Sequence, residues 1–97
     1  MRHEIVLAPE AVEDLKRLSA RARTEVLDAL EIHLRHEPTK TSRSRIKRLR
    51  GLSRPQYRLR VGEVRVFYDV EAERVEIVAI VMKSDAAAWL AGEGHKS

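Results

Sequence analysis

Two alternating segments separated by two residues constrain the fold of this 97-residue chain most strongly. Tyr57–Val61 and Val64–Val70 alternate between apolar and polar side chains, and Gly62-Glu63 separates them. Alternation with a period of two is typical of a half-buried β-strand, and a two-residue link that begins with glycine is typical of a tight turn. The pattern therefore predicts a β-hairpin in which Val61 faces Val64 and the other pairs follow outward from the turn.

The predicted register of this hairpin places its side chains on two different faces. The apolar face carries Tyr57, Leu59, Val61, Val64, Val66 and Tyr68, and the polar face carries Arg58, Arg60, Arg65 and Phe67. Arg60 would lie directly opposite Arg65, although like charges opposed across a ladder cost about 0.2–1 kcal/mol. Because a guanidinium is a planar fork of donors that stays charged, we predict that the three arginines form a phosphate-binding surface. The alternative is that they lie over the sheet and pair with Glu63, Asp69 or Glu76.

The basic residues of the chain are concentrated in one segment. Residues 38–65 hold ten basic side chains and one acidic side chain, a net charge of +9, whereas the whole chain carries +4 and the remainder therefore −5. This distribution is typical of a module that presents one basic surface to a polyanion, and a solvated loop is the alternative. Besides the hairpin arginines, the candidate nucleic-acid-binding residues of this segment are Arg45, Lys47, Arg48, Arg50 and Arg54.

The first third of the chain predicts a short strand and a helical hairpin. His3–Leu7 has strand character and ends before Pro9, which a helix tolerates at its first position. Apolar residues recur at spacings of three and four over Glu10–Leu18 and again over Ala22–Leu34, which predicts two amphipathic helices. Ser19-Ala20 joins them, so the two apolar stripes should pack together on a sheet.

The last third of the chain predicts a buried strand and a final helix. Val75–Val81 is nearly continuous in apolar residues, as expected of a strand with neighbours on both sides. Ser84-Asp85 can cap a short helix over residues 86–91, which Gly92 would end, and residues 93–97 should fray. The segment Thr39–Pro55 is interpreted as a partly docked loop or one irregular helical turn. Residues 1–97 are thus predicted to form a single α+β domain, a helical hairpin packed on a mostly antiparallel four-stranded sheet in the order β-α-α-β-β-β-α.

Several classes of site are not expected in this chain. It contains no cysteine, which excludes disulfides, thiolate metal sites and thiol catalysis. His33 and His36 could share a helical face, but no third ligand is evident, so we predict neither a metal site nor a cofactor. The longest apolar run, Ile77–Met82, is far too short to cross a membrane. We therefore expect a cytoplasmic protein without a membrane partner.

Two neighbouring motifs resemble a known family. Arg48–Leu52 reads RLRGL, and Tyr57–Asp69 reads YRLRVGEVRVFYD. These segments are similar to the K-L-x-G-L and Y-R-L-R-V-G-x-x-R-V-x-Y motifs of the RelE/ParE superfamily, the toxins of bacterial and archaeal type II toxin–antitoxin systems. The resemblance spans nearly the whole chain and implies a RelE-like fold and a cognate antitoxin protein as partner.

The RelE branch of this superfamily implies an endoribonuclease that cleaves messenger RNA on the ribosome and so inhibits translation. Its basic residues surround the scissile phosphate, and Arg58, Arg60 and Arg65 fall on matching positions. Lys83, at the end of the last predicted strand, resembles the position where many members carry another arginine. These four residues are the predicted catalytic residues, acting on a reaction that requires no metal.

The C-terminal segment departs from the RelE pattern. Many RelE members carry a tyrosine shortly after that arginine, whereas Met82–Leu90 reads MKSDAAAWL and contains none. Trp89 is instead predicted to close the core beside Phe67 or Tyr68, with base stacking as the alternative. An indole cannot transfer a proton. The ParE branch shares the fold, lacks the catalytic set and inhibits DNA gyrase, so gyrase inhibition is the alternative function that the resemblance implies.

Overall fold

The computed structural model describes residues 2–96 and shows a mixed β-sheet with helices packed on both of its faces. The strands are β1 (Glu4–Leu7), β2 (Ile46–Arg48), β3 (Leu52–Arg54), β4 (Tyr57–Val61), β5 (Val64–Glu71), β6 (Arg74–Met82) and β7 (His95–Lys96). The helices are α1 (Pro9–Arg17), α2 (Ala20–Ala29) and α3 (Lys83–Glu93), and one π-helical turn (Leu30–Leu34) continues α2. The predicted α+β class and helical hairpin are confirmed, with more strands than predicted.

The β4–β5 hairpin has the predicted register. Tyr57 pairs with Tyr68 at its open end, Arg60 pairs with Arg65, and Val61 pairs with Val64 beside the turn. Gly62 has φ +57°, the left-handed conformation that the first central position of such a turn requires. Glycine adopts this conformation without the steric cost that a Cβ atom would add.

The main sheet contains five strands in the order β1-β6-β5-β4-β2. Strand β6 lies between β1 and β5, which confirms the prediction that Val75–Val81 has neighbours on both sides. The β1–β6 pair is parallel, whereas β6–β5, β5–β4 and β4–β2 are antiparallel. Strand β6 joins β1 only after the chain has passed through α1, α2 and strands β2 to β5, so no hairpin turn links the two strands and they can run parallel.

The interpretation of Thr39–Pro55 as a loop or a helical turn was wrong. This segment contains β2, which makes the main sheet five-stranded instead of four-stranded, and β3, which pairs with β7 in a second small sheet. Ser42 stabilises the free edge of β2, because its backbone N–H donates to the carbonyl of Ile46 over 2.9 Å and its hydroxyl accepts from the N–H of Ile46 over 3.2 Å. Ile46 itself is buried against the core.

The C-terminal helix is longer than predicted. It begins at Lys83 and continues through Gly92 to Glu93, and Gly94 caps it. His95 and Lys96 pair with β3 where fraying was expected, and Ser97 lies outside the described residues. No helix within residues 2–96 is long and apolar enough to span a membrane.

The core lies between the helical hairpin and one face of the sheet. Ser19 caps α2 by accepting the N–H of Ala22 over 3.2 Å, and buried Asp14 on α1 accepts the N–H of Ile80 on β6 over 2.9 Å. Tyr68 donates its hydroxyl to the carbonyl of Pro38 over 2.7 Å, which ties the start of the basic segment to the sheet. The buried apolar residues of this layer include Ala11, Val26, Leu30, Leu34, Leu59, Val66, Tyr68, Val75 and Ile77.

Candidate nucleic-acid interface

Five cationic residues lie together on the sheet face opposite the helical hairpin. Lys47 on β2 pairs with Arg58 on β4, and Arg60 on β4 pairs with Arg65 on β5. Arg45 lies beside Arg60, because the backbone N–H of Arg60 donates to the carbonyl of Arg45 over 2.9 Å. Residues paired across a ladder project from the same face of a sheet. We call this set, Arg45, Lys47, Arg58, Arg60 and Arg65, the basic face.

The three hairpin arginines have different environments within the basic face. Arg60 is exposed and, with Arg45, Ser44 and Gly62, lines a recess of about 310 Å³. Arg65 is only 7% exposed, and its Nη1 donates to the carbonyls of Gly62 over 2.8 Å and Val64 over 3.1 Å. Part of the Arg65 guanidinium therefore holds the hairpin turn, while Arg60 is exposed to solvent.

Arg58 is half-buried, and one of its donors is unsatisfied. Its Nε is buried and has no hydrogen-bond acceptor among the described residues. Burial lowers the pKa of Arg58 below its ordinary value, and the charges of Arg65 and Arg60 lower this pKa further. A bound anion would remove both penalties at once, because it offsets the repulsion and supplies an acceptor.

The alternative arrangement, in which arginines pair with carboxylates of the sheet, holds for a different residue. Arg54 on β3 lies 3.4 Å from Asp69 (Nε to Oδ2) and 3.5 Å from Glu76 (Nη2 to Oε1). Within residues 2–96, no ion pair involves Arg58, Arg60 or Arg65. Arg54, which the sequence analysis grouped with the other nucleic-acid-binding candidates, is therefore engaged by carboxylates and is not part of the basic face.

Three further candidate residues lie outside the five positions that define the basic face. Arg48 pairs with Tyr57 and therefore projects from the opposite face, where its guanidinium carbon lies 5.1 Å from the Tyr57 ring centroid. Arg50 is exposed in the loop between β2 and β3. Lys83 is the exposed first residue of α3, and its backbone N–H donates to the carbonyl of Glu63 in the hairpin turn over 2.7 Å. The hairpin turn and the start of α3 are thus held together.

Helix α3 brings an aromatic side chain onto the same sheet face. The Trp89 ring stacks on Phe67 with a centroid separation of 4.8 Å and an interplanar angle of 7°, which confirms the predicted contact. Trp89 Nε1 is buried and has no acceptor among the described residues. Sequence reasoning favoured a core position for Trp89 over base stacking, and Phe67 on the arginine face already indicated that something must cover that face.

Metal binding has no support in the described part of the chain. Among residues 2–96, no three His, Cys, Asp or Glu side chains group closely enough to hold a metal ion. His33 is partly buried, and that burial, followed by the charge of Arg45, lowers its pKa.

Comparison with known proteins identifies the family. The model of the ParE toxin of the type II toxin–antitoxin system, parDE, matches residues 5–86. No curated protein matches the sequence.

Among solved structures, the chain is similar to a toxin–antitoxin complex, RelBE2, from Mycobacterium tuberculosis, at 22% identity and a TM-score of 0.70 over 88% of this chain and 95% of that one. It is also similar to the RelB–RelE complex from Methanococcus jannaschii (19% identity, TM-score 0.67, coverage 87% and 96%) and to the YoeB dimer from Staphylococcus aureus (21%, 0.63, 84% and 97%). The chain belongs to the ParE toxin family within the RelE/ParE superfamily, and it is the toxin of a type II toxin–antitoxin system.

Proposed function

We propose that this toxin is a ribosome-dependent mRNA endoribonuclease in which Arg58, Arg60 and Arg65 bind the scissile phosphate. One observation carries the proposal: these three guanidinium groups share a sheet face with Arg45 and Lys47, and within residues 2–96 none of the three pairs with a carboxylate. Evenly dispersed cations would serve solubility equally well, whereas like charges gathered on one face raise the free energy until an anion binds. The phosphodiester backbone of RNA supplies such an anion.

The chemistry of RNA cleavage matches what these side chains can do. The 2′-hydroxyl of one nucleotide attacks the adjacent phosphorus, negative charge develops on the phosphoryl oxygens, and the bond to the 5′ oxygen of the next nucleotide breaks. Arg60, exposed on β4, can hold a phosphoryl oxygen with its fork of donors, and Arg58 adds charge from a partly desolvated position. Lys83, at the start of α3, is the cation proposed to steady the leaving oxygen.

Proton transfer in this proposal is assigned to groups other than Trp89. An indole carries a donor that does not ionise, so Trp89 can serve neither as base nor as acid. Asp85, exposed in the first turn of α3, is the titratable candidate near the C-terminus whose side chain the structure describes. The arginines then contribute by positioning and by electrostatic stabilisation, which is usually the largest single contribution to enzymatic catalysis.

A cognate antitoxin is the proposed protein partner. Complexes of toxins with antitoxins are among the similar solved structures. A segment with a net charge of +9 requires acidic or carbonyl groups to cover it, so the antitoxin should place such groups over the basic face. Hydrogen exchange should show protection of β4, β5 and α3 in the complex. Protection confined to α1 and α2 would contradict this placement.

Primer extension on a reporter message in a purified translation system tests the nuclease. We expect new 5′ ends within the open reading frame only when ribosomes are present, and we expect Arg60→Ala to abolish them. Arg21→Ala is the matched control, because Arg21 is an exposed arginine on α2 that pairs only with Glu25 among the described residues. An intact message at toxin concentrations that stop translation would contradict the proposal.

Inhibition of DNA gyrase is the second candidate function, and two observations favour it. The family model that matches residues 5–86 is that of ParE toxins. In addition, the sheet face beside the arginines is occupied by Trp89, whose N–H does not ionise and so cannot take part in proton transfer. A supercoiling assay with purified gyrase separates the candidates. Inhibited supercoiling with an intact message would support this second function, and unaffected gyrase would exclude it.

A further inference from the structure

We propose that Arg58 and Trp89 form a closed donor pocket for a phosphodiester oxygen, and that ligand entry moves the Trp89 indole across Phe67 so that both donors bind that oxygen. The inference rests on the proposed function only in that the ligand is an RNA phosphodiester. It makes Trp89 a ligand-binding residue of this toxin and gives the indole a role in place of proton transfer.

The two donors belong to residues that both neighbour Phe67. Phe67 is the cross-strand partner of Arg58, which places their Cβ atoms about 4.5–5.5 Å apart on one face of the hairpin. The Trp89 ring lies over the Phe67 ring at 4.8 Å, nearly parallel to it. Arg58 Nε and Trp89 Nε1 are both buried, and neither has an acceptor among the described residues. The two unsatisfied donors therefore belong to the two side chains that neighbour Phe67, one as its cross-strand partner and one as its stacking partner.

The chemistry of these donors specifies the ligand. Buried polar groups are nearly always hydrogen-bonded, so two orphaned donors on residues that share Phe67 as a neighbour call for an explanation. Neither an indole N–H nor a guanidinium N–H can accept a hydrogen bond, so their partner must be an acceptor. Because Arg60 and Arg65 lie close enough to lower the pKa of Arg58, the acceptor that fits best is negatively charged. A phosphodiester oxygen meets both requirements.

Helix α3 is held in a way that allows the indole to move. Its start is fixed by the bond from the Lys83 N–H to Glu63, and the chain after it is fixed by the pairing of β7 with β3. Between these points, no residue of α3 is fully buried, and the segment around Ala86–Ala88 is composed of small side chains. The stack of Trp89 on Phe67 is the large aromatic contact between α3 and the sheet. The indole can therefore shift while both ends of the helix stay in place.

The fluorescence of Trp89 tests the pocket directly, because it is the only tryptophan of the chain. Purified toxin is titrated with hexauridylate RNA, and we expect a saturable shift of the emission to longer wavelength as the indole leaves its buried position. Trp89→Phe keeps a ring to stack on Phe67 but removes the N–H, and Arg58→Lys keeps the charge but removes Nε. Each should weaken binding of labelled hexauridylate about tenfold, the effect of losing one hydrogen bond to a charged group.

The controls separate this inference from the proposed function. Arg21→Lys should leave hexauridylate affinity unchanged, and thermal unfolding should show that all three variants fold. Unchanged emission at saturating hexauridylate, or unchanged affinity of folded Trp89→Phe, would overturn the donor pocket even if the toxin cleaves messages. A saturable Trp89 signal with an intact message would overturn the nuclease alone and leave the pocket standing.

Discussion

Replacing Arg60 with alanine should increase stability and reduce function in the same protein. Arg60 is exposed and lies directly opposite Arg65, and within residues 2–96 no carboxylate offsets the pair. Opposed like charges cost about 0.2–1 kcal/mol, and solvent screening of an exposed side chain places the gain at the low end, about 0.2–0.5 kcal/mol. For a domain of this size, that corresponds to an increase in Tm of about 1–4 °C.

Two assays on Arg60→Ala decide whether this reasoning holds. Urea unfolding gives the free energy of unfolding, and binding of hexauridylate at several salt concentrations gives the number of phosphate contacts. Losing one contact should reduce the slope of log affinity against log salt by about 0.7. Arg21→Ala should change neither quantity in this way. Arg65→Ala is a poorer probe, because losing the bonds to the hairpin turn should cost about 1.5–3 kcal/mol of stability. A destabilised Arg60→Ala, or an unchanged salt slope, would refute the reasoning.

Four further substitutions test the fold. Tyr68→Phe removes the 2.7 Å hydrogen bond to the buried carbonyl of Pro38 and should lower the free energy of unfolding by about 1–3 kcal/mol. If urea unfolding shows no measurable loss of stability, that hydrogen bond does not contribute as expected. Gly62→Ala should lower the free energy of unfolding by about 1–2 kcal/mol, because φ is +57° at this position. Gly92→Ala should raise it by about 0.5–1 kcal/mol, because Gly92 lies inside α3 and an added Cβ would meet no other atom. Equal shifts in Tm for the two variants would contradict both predictions. Burial lowers the pKa of His33 from 6.5, so the unfolded chain takes up a proton before the folded protein does, and stability falls as pH drops through about 6.5. His33→Gln should make Tm less dependent on pH in this range. An unchanged slope of Tm against pH would contradict the assignment of that dependence to His33.

The hairpin was predictable because its information is local. Alternation on both sides of a glycine turn fixes the register within twelve residues, Tyr57–Tyr68, and the register alone places Arg60 opposite Arg65. Strand β6 was predictable for a similar reason, since a continuous apolar run needs cover on both sides. The hairpin contains the three arginine candidates, so their arrangement on one face followed from sequence.

The remainder of the site depends on contacts between distant parts of the chain. Strand β2 is three residues long with one buried apolar side chain, Ile46, so no periodicity marks it. Its pairing with β4 nevertheless decides that Lys47 joins the basic face and that Arg48 projects from the other face. Arg54 is engaged by Asp69 and Glu76, partners that only the folded sheet brings near. A charge count over the segment cannot make these distinctions.

The C-terminal helix shows a second limit of sequence reasoning. Gly92 was expected to end α3, but the helix passes through it to Glu93, and the chain that follows pairs with β3 as β7. The contact between Trp89 and Phe67 was predicted as packing, yet its place beside Arg58 emerged only when the path of α3 was known. Tertiary contacts can override the local signal of a glycine in a helix.

The termini of the cleaved message test the central claim most directly, because they report how the phosphate was attacked. If the basic face stabilises attack by the 2′-hydroxyl, the products carry a 2′,3′-cyclic phosphate and a 5′-hydroxyl, and a single 2′-deoxy substitution at the cleaved nucleotide leaves the message intact. Arg60→Ala should lose the same products while Arg21→Ala keeps them. Products with a 5′-phosphate, or an intact message beside inhibited gyrase, would contradict the account.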